Sequence, residues 1–221
     1  MSDLPETRLR NMDARRRRIL DAACQMLASG GMDGLTLRGV AERAGVTVPT
    51  IYNLLGAKEA VVAALIAEAL DAQESAMVAL PRQRGIARAQ AAVRTSVELY
   101  FGAPERYGAV FRAMQDLQAK PDEAVLDPLF RRAGEVFCNA VREAQEDGDL
   151  HGRLLAVPLG HHILHAQIEN FRLWAVCSLP EAATRARAFY SLYVSLMADA
   201  TKQGRRQLLA QLRDSEAVLD D

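Results

Sequence analysis

Apolar residues recur along this chain at three- and four-residue intervals, the period of an amphipathic helix, and no stretch shows the convincing alternation of a half-buried strand. Ile19, Ala23, Met26 and Leu27 share one helical face that ends near Gly30-Gly31. Leu37, Val40, Ala41 and Ala44 form a second, short one, and Ile51 and Leu55 face inward beside Val46 on a third. A longer pattern runs from Lys58 to about Leu80, with Val61, Leu65 and Leu70 among its apolar positions, until Pro81 and Gly85 interrupt it. Further helical runs are predicted at 85–101, 104–118, 122–147, 153–178 and 180–202, separated by Gly102, Pro104, Pro121, Gly148 and Pro180. Pro128 and Pro158 each mark a kink or a later helix start, and the tail from Gly204 to Asp221 is polar enough to fray in part. The expected fold is all-α.

The informative stretch is Thr36 to Tyr52. Thr36 is placed to cap a helix of about two turns, and Gly45 stands where that helix must stop and the chain must turn, a place where a residue without Cβ takes positive φ cheaply. Thr47 caps the next helix, and Pro49 falls in its first turn, where a missing N–H costs nothing. Two short helices hinged this way are the pattern of a helix-turn-helix, and the helix beginning near Thr47 is the candidate reader. Its outward side carries Thr47, Val48, Pro49, Thr50, Tyr52 and Asn53, which can bond base edges and phosphates and touch thymine methyls. The helix containing Ile19 to Leu27 supplies the third wall of a small core.

A capped helix, a glycine and a second helix also occur in proteins that touch no nucleic acid, so charge changes the picture. Residues 8–58 hold nine cationic side chains, Arg15 to Arg18 among them, against four acidic ones. The segment is +5 in a chain of net charge −1, which leaves −6 for the remainder. An arginine run is most often a solvated helix face, but here it adjoins the helix pair, where phosphate neutralisation could use it. Near-neutral charge overall argues against a non-specific nucleic-acid coat.

Arg18-Ile-Leu-Asp-Ala-Ala23, Gly34-Leu-Thr-Leu-Arg-Gly-Val-Ala41, Ala44-Gly-Val46, Thr50-Ile-Tyr52 and Lys58-Glu59, in this order and spacing, resemble the N-terminal domain of the tetracycline-repressor (TetR) family over roughly residues 15–66. The resemblance implies a dimeric transcriptional regulator with a helix-turn-helix head and an all-helical ligand-sensing body. It also implies that Tyr52 and Lys58 contact phosphates. Two departures are visible. Leu55 stands where the family usually has an aromatic residue, which implies a slightly smaller core. Val48-Pro49 replaces a frequent Lys or Arg followed by Gly, which implies more apolar contact and less guanine recognition. The expected division is a DNA-binding domain over 1–60, with 1–12 a partly disordered arm, and a ligand-binding and dimerisation domain over 61–221. The expected DNA-binding residues are Arg15, Thr36, Thr47, Val48, Pro49, Thr50, Tyr52, Asn53 and Lys58.

In the body, Tyr107, Phe111, Met114, Phe137, Val141 and Trp174 are candidates for the wall of an apolar effector cavity, with His165 and Glu169 fixing orientation, although plain core packing explains any one of them. The run at 153–178 is apolar or small on more than one side, and the next carries a stripe of Phe189, Leu192, Tyr193, Leu196, Met197 and Ala200. Such helices can meet their own core and a second copy, so a homodimer through 153–178 and 180–202 is expected, as a four-helix bundle. A dimer would read a pseudo-palindromic double-stranded operator, with a small, largely apolar molecule releasing it.

His161, His162 and His165 sit at a spacing that metals use, but no carboxylate or cysteine completes a set and Glu169 would supply only part of one, so no metal site is expected. No nucleophile elbow, phosphate-cradling Gly-rich loop or paired catalytic carboxylate appears, so neither catalysis nor a cofactor is expected. Cys24, Cys138 and Cys177 are odd in number and lack paired spacing, which points to a reducing compartment. The Arg-rich start has no signal-peptide apolar region, and Ala60 to Ala67 stops at Glu68, so a cytoplasmic protein without a membrane span is expected. Two other readings remain open: a regulator of the same fold controlled by a protein partner, and a helical enzyme or carrier whose N-terminal helices are only structural.

Overall fold

The computed structural model describes residues 3–80, 82–118 and 123–219, with side chains over 10–80, 82–115 and 133–219. Pro81 and Pro121, read above as helix interruptions, lie outside the described residues. The architecture is all-α: α1 Asp3–Gly34, α2 Leu37–Ala44, α3 Val48–Leu54, α4 Lys58–Val78, α5 Gly85–Gly102, α6 Pro104–Gln118, α7 Glu123–Glu146, α8 Ala156–Cys177, α9 Glu181–Met197 and α10 Lys202–Leu219. The β-type pairing among the described residues is one isolated bridge, Leu150 to Ala200.

The chain falls into two compact units. One takes residues 1–69 and 105–122, so that α1, α2, α3, the first half of α4 and α6 belong together. Its core is Ile19, Leu27, Leu35, Val40, Ile51, Val61, Leu65 and Ile66, each at most 2% exposed, joined by Tyr107, Val110, Phe111 and Met114 of α6. α1 breaks at Gly31 (φ 60°, ψ −161°), which bears out the stop expected near Gly30-Gly31. At its other end α1 is helical from Asp3, across the stretch expected to be a partly disordered arm.

The other unit takes residues 70–104 and 123–221. α7 packs on α8 and α5, α8 on α9, and α9 on α10 and α5, around Ile86, Val93, Val97, Phe137, Val141, Ile163, Phe171, Leu192, Leu196 and Leu208. α7 and α8 approach closely because Gly160 lets Cys138 through: a Cβ there would lie 2.5 Å from the Cys138 nitrogen. Tyr100 donates to Gln73 Oε1 at 2.6 Å inside this unit, so a buried amide and a buried phenol satisfy one another.

Two expectations are corrected here. The run read as 180–202 ends at Met197, and what was read as a fraying tail is α10. The turn between them is pinned by Asp199, which is 2% exposed and accepts from the backbone N–H groups of Gly152 at 2.9 Å and Arg153 at 3.1 Å. α10 turns Gly204, Leu208 and Ser215 inward, a stripe too small and polar to register as hydrophobic. Pro158 lies in the first turn of α8, which starts at Ala156, while α7 continues as helix through Pro128.

Candidate nucleic-acid interface

The reader helix is held by its neighbours before it can present anything. Thr36 Oγ1 accepts from the Gly39 N–H at 3.1 Å and caps α2. At the other end of α2, Gly45 takes φ 63°, ψ 42°, and its N–H reaches Glu42 O at 3.3 Å while the Val46 N–H reaches Ala41 O at 3.0 Å. Those two bonds are a Schellman turn, which satisfies carbonyls that the helix end would orphan and turns the chain sharply. Gly39 leaves room for a neighbour that the sequence reading passed over: a Cβ there would come 2.6 Å from Met26 Cε, the movable end of an α1 side chain that fills the space.

Thr47 then starts α3. Its Oγ1 accepts from the Thr50 N–H at 3.4 Å and lies 2.8 Å from Thr50 Oγ1, with Pro49 in the first turn. Ile51 is wholly buried and nails the helix to the unit's core. One residue on, Tyr52 is 55% exposed, a large aromatic side chain turned mostly to solvent. Pro49 and Asn53 are exposed beside it, and Val48 and Thr50 are half-buried. Leu55, in the place of the expected aromatic, is also half-buried.

Lys58 opens α4 and its Nζ donates to the Met32 carbonyl beyond the break in α1. An ammonium has three protons, so this bond fixes the side chain and leaves donors for an anion. Arg15 is exposed on α1. The structure thus brings Thr47, Val48, Pro49, Thr50, Tyr52 and Asn53 together on one short helix, with none of the polar members sealed inside.

Residues 19–65 match the family model described as bacterial regulatory proteins, tetR family. The head is a tetR-family domain. That family is one of DNA-binding transcription regulators rather than enzymes. The chain is also similar in fold to solved structures. A bacterial regulatory protein in the tetR family from Rhodococcus RHA1 has a TM-score of 0.66 at 20% identity, covering 85% of this chain and 98% of that one. A gamma-butyrolactone receptor gives 0.63 at 18%, covering 95% and 98%. The repressor of the Stenotrophomonas maltophilia multidrug efflux pump gives 0.57 at 18%, covering 85% and 91%. No curated protein matches the chain in sequence.

The candidate effector residues are distributed over both units. Tyr107, Phe111 and Met114 are buried in the unit that holds the tetR-family head, and burial pushes the Tyr107 phenol up from its ordinary pKa. Phe137, Val141 and Trp174 are buried in the other unit, where the rings of Trp174 and Phe101 meet tilted by 51°, 4.8 Å between centroids. His165 and Glu169 do not join them. Pro158, His162, His165 and Glu169 form the exposed stripe of α8, opposite Ile163, Leu164, Phe171 and Trp174, because the helix is amphipathic at that period. Glu169 bonds Arg172 one turn on, which holds its carboxyl below the usual range. His161 is half-buried against the space left by Gly134.

The second unit has an opening that sequence reasoning missed, a cleft lined by Leu70, Gln73, Met77, Ala133 and Val136 with Asp71 and Glu74 at its polar positions. Its residues come from two helices 60 positions apart, and no local pattern joins them. No single helix among the described residues is long and apolar enough to cross a membrane. The bent pair α3–α4 qualifies by composition, but its Ile51, Val61, Val62, Leu65 and Ile66 are core residues.

Proposed function

We propose that this chain is a ligand-responsive transcriptional repressor that binds a pseudo-palindromic operator as a homodimer. The observation that carries the reading is the pairing on α3 of a wholly buried Ile51 with a 55% exposed Tyr52, on a helix capped at its start and set by a Schellman turn before it. A rigid anchor behind and polar or aromatic groups in front are what a groove-reading helix requires. In this reading Thr47, Val48, Pro49, Thr50 and Asn53 meet base edges, and Tyr52, Lys58, Arg15 and Thr36 meet the backbone. The DNA-binding part is 1–60 and the body 61–221.

The exposed residues of α8 and α9, including Val157, Val176 and Val194, support these two helices as the dimer contact. Two reader helices then meet successive major grooves about 34 Å apart. An effector releases the operator only if it prefers the non-binding arrangement, and a coupling of about 1 to 3 kcal/mol weakens DNA binding roughly 5- to 150-fold. The body offers it the cleft between α4 and α7, apolar at Leu70, Met77, Ala133 and Val136 and polar at Asp71, Gln73 and Glu74. Similarity of fold to a gamma-butyrolactone receptor and to an efflux-pump repressor supports a small-molecule effector over a protein partner. Such a protein works in the cytoplasm, beside the chromosome.

The test is selection of bound duplexes from a random library, followed by sizing of the complex. A two-fold-symmetric site bound by two chains supports the reading, and loss of sequence preference in Thr50→Ala or Asn53→Ala with general weakening in Lys58→Ala supports the roles. A chain that selects no sequence, or binds as one copy, would refute it.

A further inference from the structure

Two glycines stand side by side near the end of α1, and the backbone demands glycine at one of them only. An added Cβ meets nothing within 4 Å at either Gly30 or Gly31, so crowding explains neither. Gly30 keeps helical backbone angles, whereas Gly31 takes φ 60°, ψ −161°, a region that belongs to glycine. Had α1 run on as a helix, the Met32 carbonyl would lie along the axis and accept from the residue four places on. The break turns it aside. It accepts instead from the Leu35 N–H at 3.3 Å and from Lys58 Nζ at the start of α4. Leu35 is 1% exposed, so the turn that carries this carbonyl is anchored in the core of the head.

Helix stability does not account for Lys58. It is half-buried at the first position of α4, where the positive end of the helix dipole opposes a cation. Among the described residues no carboxylate pairs with it. A long, flexible side chain that must be ordered when a partner binds weakens the complex. The Met32 carbonyl orders this one beforehand.

We infer that Gly31 is a positioning residue for DNA binding: its backbone sets the Met32 carbonyl, which holds the Lys58 ammonium ready for a phosphate. This rests on the reading of Lys58 as a phosphate contact. An alanine at position 31 cannot keep the angles of the glycine, so the peptide between 31 and 32 rotates and the carbonyl leaves Lys58. DNA must then order the side chain itself, which costs about 2- to 12-fold in affinity for each chain bound. The loss falls on all sequences alike, because phosphates carry no sequence information.

The experiment needs no known operator. Affinity of the full chain for a mixed-sequence duplex is measured for the wild type, Gly30→Ala, Gly31→Ala, Lys58→Met and the double variant Gly31→Ala/Lys58→Met, with thermal unfolding to show which are folded. Expected is weakening by Gly31→Ala when Lys58 is present and no further weakening in the Lys58→Met background, while Gly30→Ala binds as the wild type does. Lys58→Met itself flattens the dependence of log K on log salt by about 0.9 per chain. Equal weakening by Gly31→Ala in both backgrounds overturns the inference, since a head that is merely damaged loses affinity with or without the lysine. A Gly31→Ala protein that binds as tightly as the wild type, or a Gly30→Ala protein weakened to the same degree as Gly31→Ala, overturns it too. Unchanged affinity and salt dependence in Lys58→Met overturn the phosphate role beneath it, and a wild type that binds no duplex overturns the DNA reading itself. Should Gly31→Ala fail to fold, acylation of the wild type by an amine reagent, mapped by peptide mass, decides the matter. Lys58 held by Met32 reacts severalfold more slowly than the exposed Lys202, and equal rates overturn the inference.

Discussion

Arg106 Nη2 lies 3.0 Å from Glu68 Oε1, joining α6 to α4 inside one unit. The same guanidinium stands 3.5 Å from Asp21 on α1, and the Cys24 thiol points at the Arg106 carbonyl at 3.9 Å. All of α5 separates Arg106 from the other residues in sequence, yet α6 belongs with α1 to α4. One side chain therefore ties three helices. Glu68 and Arg106 are partly exposed, so screening keeps the ion pair to about 1 kcal/mol, but Glu68 Oε2 is buried without a partner and depends on the cation nearby. Arg106→Met should lower the unfolding free energy by about 1 to 2 kcal/mol in urea titration. Asp21→Ala, at the longer distance, should cost less; equal costs would mean that the Glu68 contact is not the stronger tie.

The wholly buried Ile51 and the exposed Tyr52 should separate stability from binding. Ile51→Ala removes a packed side chain and should cost about 2 to 5 kcal/mol. Tyr52→Phe removes one solvated hydroxyl and should leave the unfolding midpoint in place while weakening duplex affinity by severalfold. A Tyr52→Phe protein that unfolds earlier but binds as before would reverse the roles assigned to these neighbours.

What the sequence made legible followed from local chemistry. Thr36, Gly45, Thr47 and Pro49 act within four residues of themselves, and each helix start and stop they imply is where the structure has it. α10 was not legible, since its inward line uses Gly204, which lies against the Asp149 backbone, and Ser215, whose hydroxyl bonds the Gln211 carbonyl one turn back, with Leu208 the one large apolar residue on it. The exposure of His165 and Glu169 was illegible for a related reason: periodicity shows that His165 and Trp174 share a helix, but the exposed side of α8 is set by which neighbours pack on it. α6 joins the head through its buried Tyr107, Val110, Phe111 and Met114 and through Arg106, and no local pattern says which unit an apolar helix face will meet.

The three cysteines should divide two to one. Burial pushes the thiols of Cys24 and Cys138 above their ordinary pKa, against smaller opposing pulls from Arg106 and Arg142, whereas Cys177 is exposed at the end of α8. The thiolate is the reactive form, so at pH 8 a disulfide reagent should titrate one thiol quickly, the other two at least roughly tenfold more slowly, and three after denaturation. Because both shifts are upward, the buried thiols favour the folded state fully below the pKa of a free thiol, and that contribution falls as pH rises through the raised values. Three equally fast thiols in the native protein would contradict the burial of Cys24 and Cys138.

The contact of α7 with α8 gives the sharpest steric contrast. At Gly160 an added Cβ would meet the Cys138 backbone, 2.5 Å from its nitrogen and 2.6 Å from its Cα, and backbone cannot swing away. The helices must separate, which disturbs Phe137 and Ile163 on either side, so Gly160→Ala should cost about 1 to 3 kcal/mol even after the better helix propensity of alanine. At Gly134 the nearest atom is His161 Cδ2 at 2.7 Å, the end of a half-buried side chain with rotamers to spare. The ring can move, and the propensity gain of about 1 kcal/mol offsets what the move costs, so Gly134→Ala should be close to neutral. Thermal denaturation of the two variants decides it: a Gly160→Ala protein as stable as the wild type would mean that α7 and α8 do not approach as closely as Cys138 and Gly160 require.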